Sequence, residues 1–248
     1  MYKTLCLDFG NTLLKAAVFE GDELVSTRIL TDDNPLAVEE LLLEHQPRNS
    51  ILSSVVNHNR RLEELLAGRT CFHLLSHTSK ANFTTPVGKP ATIGPDRLAL
   101  AAAAAHYYPG KNTLVIGIGT CIIYNFINRN RAFLGGAISP GMRMRYRSMS
   151  EFTAKLPMAE PDALVLKGNL PLTGYDTETN LHSGVLGGMR FEMDGFIDYY
   201  RENYRDCNVV LTGGNALYFA RRLKNSIFAD PSFLYKGLYA LSEANNNC

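Results

Sequence analysis

The strongest constraint on this chain is a plan that it uses twice. Lys3–Phe9 is an apolar run that ends at Gly10-Asn11-Thr12. A second apolar run covers residues 13–19, Gly21-Asp22 makes a hairpin turn, and Glu23–Leu30 completes a three-strand meander. The pattern restarts at Thr113–Thr120, a strand running into Gly117-Ile118-Gly119-Thr120, followed by Cys121–Ile127, a turn at Arg129-Asn130 and Ala132–Ile138. Strand, glycine turn ending in Thr, strand, turn, strand occurs in both places, which predicts two related halves, residues 1–110 and 111–248. Between the meanders the pattern alternates. Helices are expected over 35–45, 60–66 and the alanine-rich 98–107, with strands at 51–56 and 71–75. In the second half helices are expected near 142–155, 177–204, 216–223 and 234–241, with a strand at 208–212. Strands alternating with helices mean an α/β chain.

Each turn has residues suited to phosphate. In Asp8-Phe9-Gly10-Asn11-Thr12 the glycine turn exposes backbone N–H groups that, with the Asn and Thr side chains, can form a nest for phosphate oxygens. Asp8 at the strand end can hold Mg²⁺ directly or through water, and Lys15 adds a point charge. Gly117-Ile118-Gly119-Thr120 is the equivalent turn of the second half. Thr212-Gly213-Gly214-Asn215, between a strand and a helix, lets a flat ring lie against backbone beside a helix N-terminus. Gly94-Pro95-Asp96-Arg97 opens the alanine-rich helix; it reads either as a helix cap or as a base with an anion-binding guanidinium. Gly135–Gly141 is rich in small residues and permits close backbone packing.

Composition narrows the classes. A net charge of +1 argues against a nucleic-acid surface, and 46% hydrophobic with 20% charged residues is ordinary for a globular chain. The five cysteines form no CxxC pair, so neither a zinc site nor a disulfide framework is expected and a reducing cytoplasm fits. No apolar run approaches the ~18 residues of a membrane helix, and the start of the chain does not read as a signal peptide. The six histidines have no ligand spacing and read as surface or packing residues; Glu192 and Asp194 read as solvated or interface charges.

The glycine turns, in this order, resemble the two phosphate motifs and the adenosine motif of the superfamily that holds acetate kinase, sugar kinases, Hsp70 and actin. Asp8–Thr12, Ser53–Val56, Gly94–Arg97, Gly135–Gly141, Thr153–Pro157, Thr177 with Ser183-Gly184, and Thr212–Ala216 together resemble type III pantothenate kinase. The resemblance implies a duplicated ribonuclease H-like (actin-like ATPase) fold of two domains with a nucleotide cleft between them. It implies ATP-dependent phosphorylation of the primary hydroxyl of pantothenate, opening coenzyme A synthesis, in a cytoplasmic homodimer with no nucleic-acid or membrane partner. ATP would contact Asp8, Gly10, Asn11, Thr12, Lys15, Thr120, Gly213 and Gly214, with Asp8 near Mg²⁺. Gly94, Pro95, Asp96, Arg97 and Thr177 would contact pantothenate, Asp96 as the general base and Thr177 across the dimer.

Two departures from the family pattern bear on this. Gly117 stands where the family has an Asp that looks like the ligand for a monovalent cation, K⁺ or NH₄⁺, and Asn125 replaces a later Asp of the same hairpin. Val87 stands where the family offers a Tyr to the substrate, with Phe83 the nearest aromatic. Three other readings follow: a nucleotide-binding regulator like the accessory factors similar to this family, a kinase for another small alcohol, and, weakest, a ribonuclease H-like nuclease, which would need clustered carboxylates for two metals.

Overall fold

In the computed structural model, residues 2–86, 88–162, 165–166, 168 and 171–246 are described. The chain divides into two compact units: Met1–Gly110 with Ile127–Gly135 and Ser232–Cys248, and Lys111–Phe126 with Gly136–Pro231. A single cut near residue 110 therefore leaves out two features, the return to the first unit of Ile127–Gly135 and of the chain's last helix.

The first unit is built on a five-stranded sheet with the order β3-β2-β1-β4-β5. Its strands are β1 (Lys3–Phe9), β2 (Leu14–Glu20), β3 (Glu23–Leu30), β4 (Asn49–Ser54) and β5 (Cys71–Leu74). The β1–β2–β3 meander is antiparallel, while β4 and β5 run parallel to β1. Side chains alternate between the faces of a strand. Leu5, Leu7 and Phe9 of β1 thus join Ala16, Val18 and Leu52 in a core against α1 (Pro35–His45) and α2 (Arg60–Arg69), which supply Val38, Leu41, Leu62 and Leu66. Asn34 and Asn59 cap these helices by accepting from Leu36 N and Arg61 N.

Thr4, Cys6 and Asp8 point to the opposite face. There Phe19 of β2 stacks on Tyr239 of the chain's last helix, α8 (Phe233–Asn245), at 4.9 Å. α3 (Pro95–Tyr107) packs on α8, and its residues Leu98–Ala105 are all buried. The alanines allow this approach, and Gly237 completes it: a Cβ there would overlap the Ala99 backbone. Cys6, Cys121 and Cys207 are free and Cys71 is disulfide-bonded, a bridge that the expectation of no disulfide framework did not foresee. Spacing along a chain excludes a zinc pair but not a bridge between distant segments: Asn246 donates to the Cys71 carbonyl oxygen, so the end of the chain lies beside β5. Cys248 lies outside the described residues.

The second unit's sheet has the order β10-β9-β6-β7-β8, from β6 (Asn112–Ile118), β7 (Cys121–Ile127), β8 (Phe133–Pro140), β9 (Cys207–Thr212) and β10 (Phe228–Ala229). In each sheet the first strand lies between the second and the fourth, so the duplication seen in the turns is also a duplication of topology. Among the described residues its helices include α4 (Met142–Glu151), α5 (Thr177–His182), α6 (Gly188–Asn203) and α7 (Ala216–Ala220). α5 runs into α6 through a π-helical turn at Ser183–Gly187. The core joins Ile116, Ile118, Ile122, Tyr124 and Phe126 of the sheet to Met189, Met193 and Ile197 of α6. Among the described residues no helix is long and apolar enough to cross a membrane.

Candidate active site

In the first unit, register builds a row of polar groups across three strands. Asp8 pairs with Lys15 on β2 and with Ser53 on β4, and all three lie on the face covered by α3 and α8. Ser53 Oγ reaches Asp8 Oδ1 at 3.5 Å. Asp8 is only 8% exposed. Burial pushes its carboxyl up to about 6, against the pull of Lys15 and with a further push from the nearby Asp96 carboxyl. The Asp96 carboxyl is thus near enough to the end of β1 for its charge to act on Asp8. The turn beyond Asp8 is tight, with Gly10 N donating to Leu13 O at 3.1 Å, and it leaves Asn11 and Thr12 exposed at the tip.

Asp96 is held by the start of α3. Gly94 is the N-cap, Pro95 takes the first helical position where no N–H is needed, and Asp96 follows. A Cβ on Gly94 would stand 2.5 Å from Asp96 Oδ1, so a side chain there would displace the carboxylate. Burial raises the Asp96 carboxyl above the ordinary range, opposed by the Arg97 backbone N–H and guanidinium. The N-cap is thus Gly94, with no side-chain cap, and Asp96 sits in the first turn beyond it. The Arg97 guanidinium lies over the Phe133 ring, 5.5 Å from its centre, and Phe83 meets the same ring edge-on at 6.2 Å. Phe83 is therefore packed into the unit; Val87 lies outside the described residues.

Sequence reasoning missed two members of this cluster. Ser53 carries no charge or glycine signal, and its place beside Asp8 comes from parallel pairing of β4 with β1. Tyr235, on α8, is a half-buried phenol whose proton is held more tightly by burial and by the charge of Asp8. Its approach depends on the last helix returning to the first sheet.

The glycine turns of the second unit converge by backbone contact. Gly117 at the end of β6 pairs with Thr212 at the end of β9. Gly213 has φ +96°, and a Cβ there would overlap the Ile118 carbonyl. Gly141 N donates to Thr120 O at 3.0 Å, and a Cβ on Gly141 would stand 2.5 Å from that oxygen. Gly214 has open space beside it. The segments around residues 117–120, 139–141 and 212–215 thus form one surface of close-packed backbone with Thr120 exposed on it. Thr177 is the exposed first residue of α5, whose N-cap Asp176 and Thr179 form a reciprocal capping box.

Of the solvated or interface charges expected at Glu192 and Asp194, the structure shows neither fully solvated. Glu192 accepts from Tyr124 Oη at 2.8 Å and from Arg145 Nη2. Asp194, 6% exposed, accepts from Lys224 N, Asn225 N and Asn225 Nδ2 and so organises the loop after α7. A carboxylate on an amphipathic helix looks solvated in a sequence unless the partners that fold onto it can be seen.

Among the described residues no cluster of three or more His, Cys, Asp or Glu side chains could hold a metal. Asp8, at the strand end before the glycine turn, offers one carboxylate to a divalent cation whose remaining ligands would be water and oxygens of a bound substrate. Gly117 is buried in the sheet and brings no side chain to a monovalent cation.

A model of the type III pantothenate kinase family matches residues 4–199. The type III pantothenate kinase of Flavobacterium johnsoniae is 39% identical over 236 residues, 94% of this chain and 95% of the relative. That of Christiangramia forsetii is 38% identical over 243 residues, 97% of this chain and 98% of the relative. Two solved structures share the fold. One, a Campylobacter jejuni protein assigned to the Baf family of transcriptional activators, is 20% identical with a TM-score of 0.59, over 96% of this chain and 97% of that one. The other, a glucokinase from an Antarctic psychrotroph, is 13% identical with a TM-score of 0.55, over 98% and 99%.

Proposed function

Because the chain belongs to the type III pantothenate kinase family, we propose that it transfers the γ-phosphoryl group of ATP to the primary hydroxyl of pantothenate, the first step of coenzyme A synthesis. The observation that carries this reading is the Asp8–Asp96 pair: a buried carboxyl at a strand end before a glycine turn and, near enough to act on it by its charge, a half-buried one at a helix start beside a guanidinium.

Phosphoryl transfer asks the protein for positioning and charge neutralisation more than for covalent chemistry. The Gly10–Leu13 turn with Asn11 and Thr12, together with Lys15, binds phosphate oxygens of ATP, as do Thr120 and the Gly213-Gly214 backbone of the second unit. Asp8 would hold Mg²⁺, and a bound divalent cation would supply neutralisation of the charge that builds on the phosphates. Asp96 accepts the hydroxyl proton as the oxygen attacks phosphorus, and its raised pKa makes it a better proton acceptor than an ordinary carboxylate. The Arg97 guanidinium, stacked on Phe133, binds the pantothenate carboxylate, and Gly94 and Pro95 form the wall beside it. Thr177 contacts pantothenate from a second copy of the chain. The working form is a cytoplasmic homodimer. With Gly117 in place of an acidic residue, no carboxylate at that position binds K⁺ or NH₄⁺, and turnover proceeds without a monovalent cation requirement.

The test is release of ADP by purified protein with ATP and Mg²⁺, with and without pantothenate, in potassium, ammonium and sodium buffers, and with a panel of other small alcohols. Pantothenate-dependent ADP in every buffer is expected. ADP release dependent on a different alcohol, with none on pantothenate, would overturn the substrate; ADP release only with potassium or ammonium would overturn the account of Gly117.

A further inference from the structure

We propose that Arg145 and Glu192 are positioning residues for the phosphates of ATP, acting through the turn between β8 and α4. This inference rests on the reading of Thr120 as a phosphate contact. The turn that carries Thr120 is braced from one side by Gly141, whose N–H donates to Thr120 O at 3.0 Å and whose lack of a side chain lets the two backbones touch. Gly141 is also the N-cap of α4 and, being glycine, supplies no side-chain cap. Its position is set from elsewhere.

Arg145 does this. One turn into α4, its side chain reaches back: Nε donates to Pro140 O at 2.8 Å and Nη2 to Ser139 Oγ at 2.8 Å, gripping the two residues that precede Gly141. The same Nη2 pairs with Glu192 of α6, and Glu192 in turn accepts from the phenol of Tyr124 on β7 at 2.8 Å. Tyr124 is fully buried and stacks on Phe196 of α6 at 3.9 Å. Three elements, β7, α4 and α6, therefore fix one guanidinium, and the guanidinium fixes the backbone that presses on the Thr120 turn. Exposed ion pairs contribute little. Here the side chains are only 21% and 24% exposed, and the planar fork makes directional bonds that a lysine ammonium cannot reproduce. A donor misplaced by a fraction of an ångström loses much of its effect on a transferring phosphoryl group.

The experiment measures binding of a magnesium complex of a non-hydrolysable ATP analogue by calorimetry, on the full chain without pantothenate, alongside KM for each substrate and the thermal midpoint. Arg145→Lys is expected to weaken nucleotide binding about tenfold and raise KM for ATP in parallel, with KM for pantothenate within about twofold of the parent. Glu192→Gln, which keeps shape but removes the charge that anchors Arg145, is expected to weaken nucleotide binding about threefold. Arg147→Ala, on the same helix in an exposed pair with Glu151, should leave all three constants unchanged. Folded Arg145→Lys and Glu192→Gln proteins that bind nucleotide within twofold of the parent would overturn the inference, as would equal rises in both KM values. If Arg145→Lys does not fold, Glu192→Gln decides. A parent that binds nucleotide yet phosphorylates no pantothenate would sink the proposed reaction while the variants still judge this inference on binding alone.

Discussion

At Asp8 the alternation of a strand and the chemistry of a phosphate site pull in opposite directions. Period two turns the carboxyl inward under α3 and α8, where burial favours its neutral form, while the proposed role needs its charge. In the unfolded chain this group titrates near 3.8, in the folded one near 6. Between these values the native state holds more protons, so stability falls as pH rises through that window, and the whole penalty is present above it. Asp8→Asn should therefore raise the unfolding free energy at pH 8 in magnesium-free buffer by something on the order of 2 kcal/mol, with a higher thermal midpoint, while removing activity. Scans repeated towards pH 4 should show the gain vanish; a gain independent of pH would contradict the assignment. Asp96 differs, since its part is to take a proton. Asp96→Asn should lower kcat by about 10²–10⁴-fold and leave nucleotide binding within about threefold, measured by steady-state kinetics and calorimetry. With burial holding Asp96 above the ordinary carboxylate range, the acid limb of the parent's pH–rate profile should also lie above that range. Asp8, Lys15 and Asp96 were legible in the sequence because each belongs to a short motif with a glycine at its turn. Ser53 and Tyr235 were not, since only strand register and a returning helix bring them there.

Among the elements, the turns were easier to read than the segments they join. A glycine with positive φ against a carbonyl leaves a local signature, and Gly213 is such a case: Gly213→Ala should cost about 2–4 kcal/mol in chemical denaturation, from the strained φ and the overlap with Ile118. Gly214→Ala, with open space at its Cβ, should change stability by less than about 1 kcal/mol. Equal losses at the two positions would show that the turn is not packed as described. The meander strands β1 to β3 follow directly from alternation and turn residues. β10, two residues long, has no period to detect, and the π-helical turn at Ser183–Gly187 is invisible to a pattern that expects one continuous helix. Glu192 was misread for a related reason: its partners Tyr124 and Arg145 come from two other elements, and no spacing on α6 reveals them.

Across the whole chain, the duplication was legible because it is written in order: two meanders, two glycine turns, the same strand sequence in each sheet. The segment Ile127–Gly135 breaks the order, and so does the helix α8. It covers the first sheet, stacks Tyr239 on Phe19 and seats Gly237 on Ala99, although it follows the second unit in sequence. A chain ending at Pro231 would expose the alanine face of α3 and the Cys6 side of β1, and should show collapse of hydrogen-exchange protection in β1, β2 and β4; retained protection there would contradict the packing described. The central claim is that this fold phosphorylates pantothenate with Asp96 as the base. Mass spectrometry of the products from ATP, Mg²⁺ and pantothenate tests it most directly, with the parent protein beside Asp96→Asn at equal concentration. The account predicts phosphopantothenate from the parent and only a trace from the variant. No phosphopantothenate from a folded, nucleotide-binding parent, or equal amounts from both proteins, would contradict it.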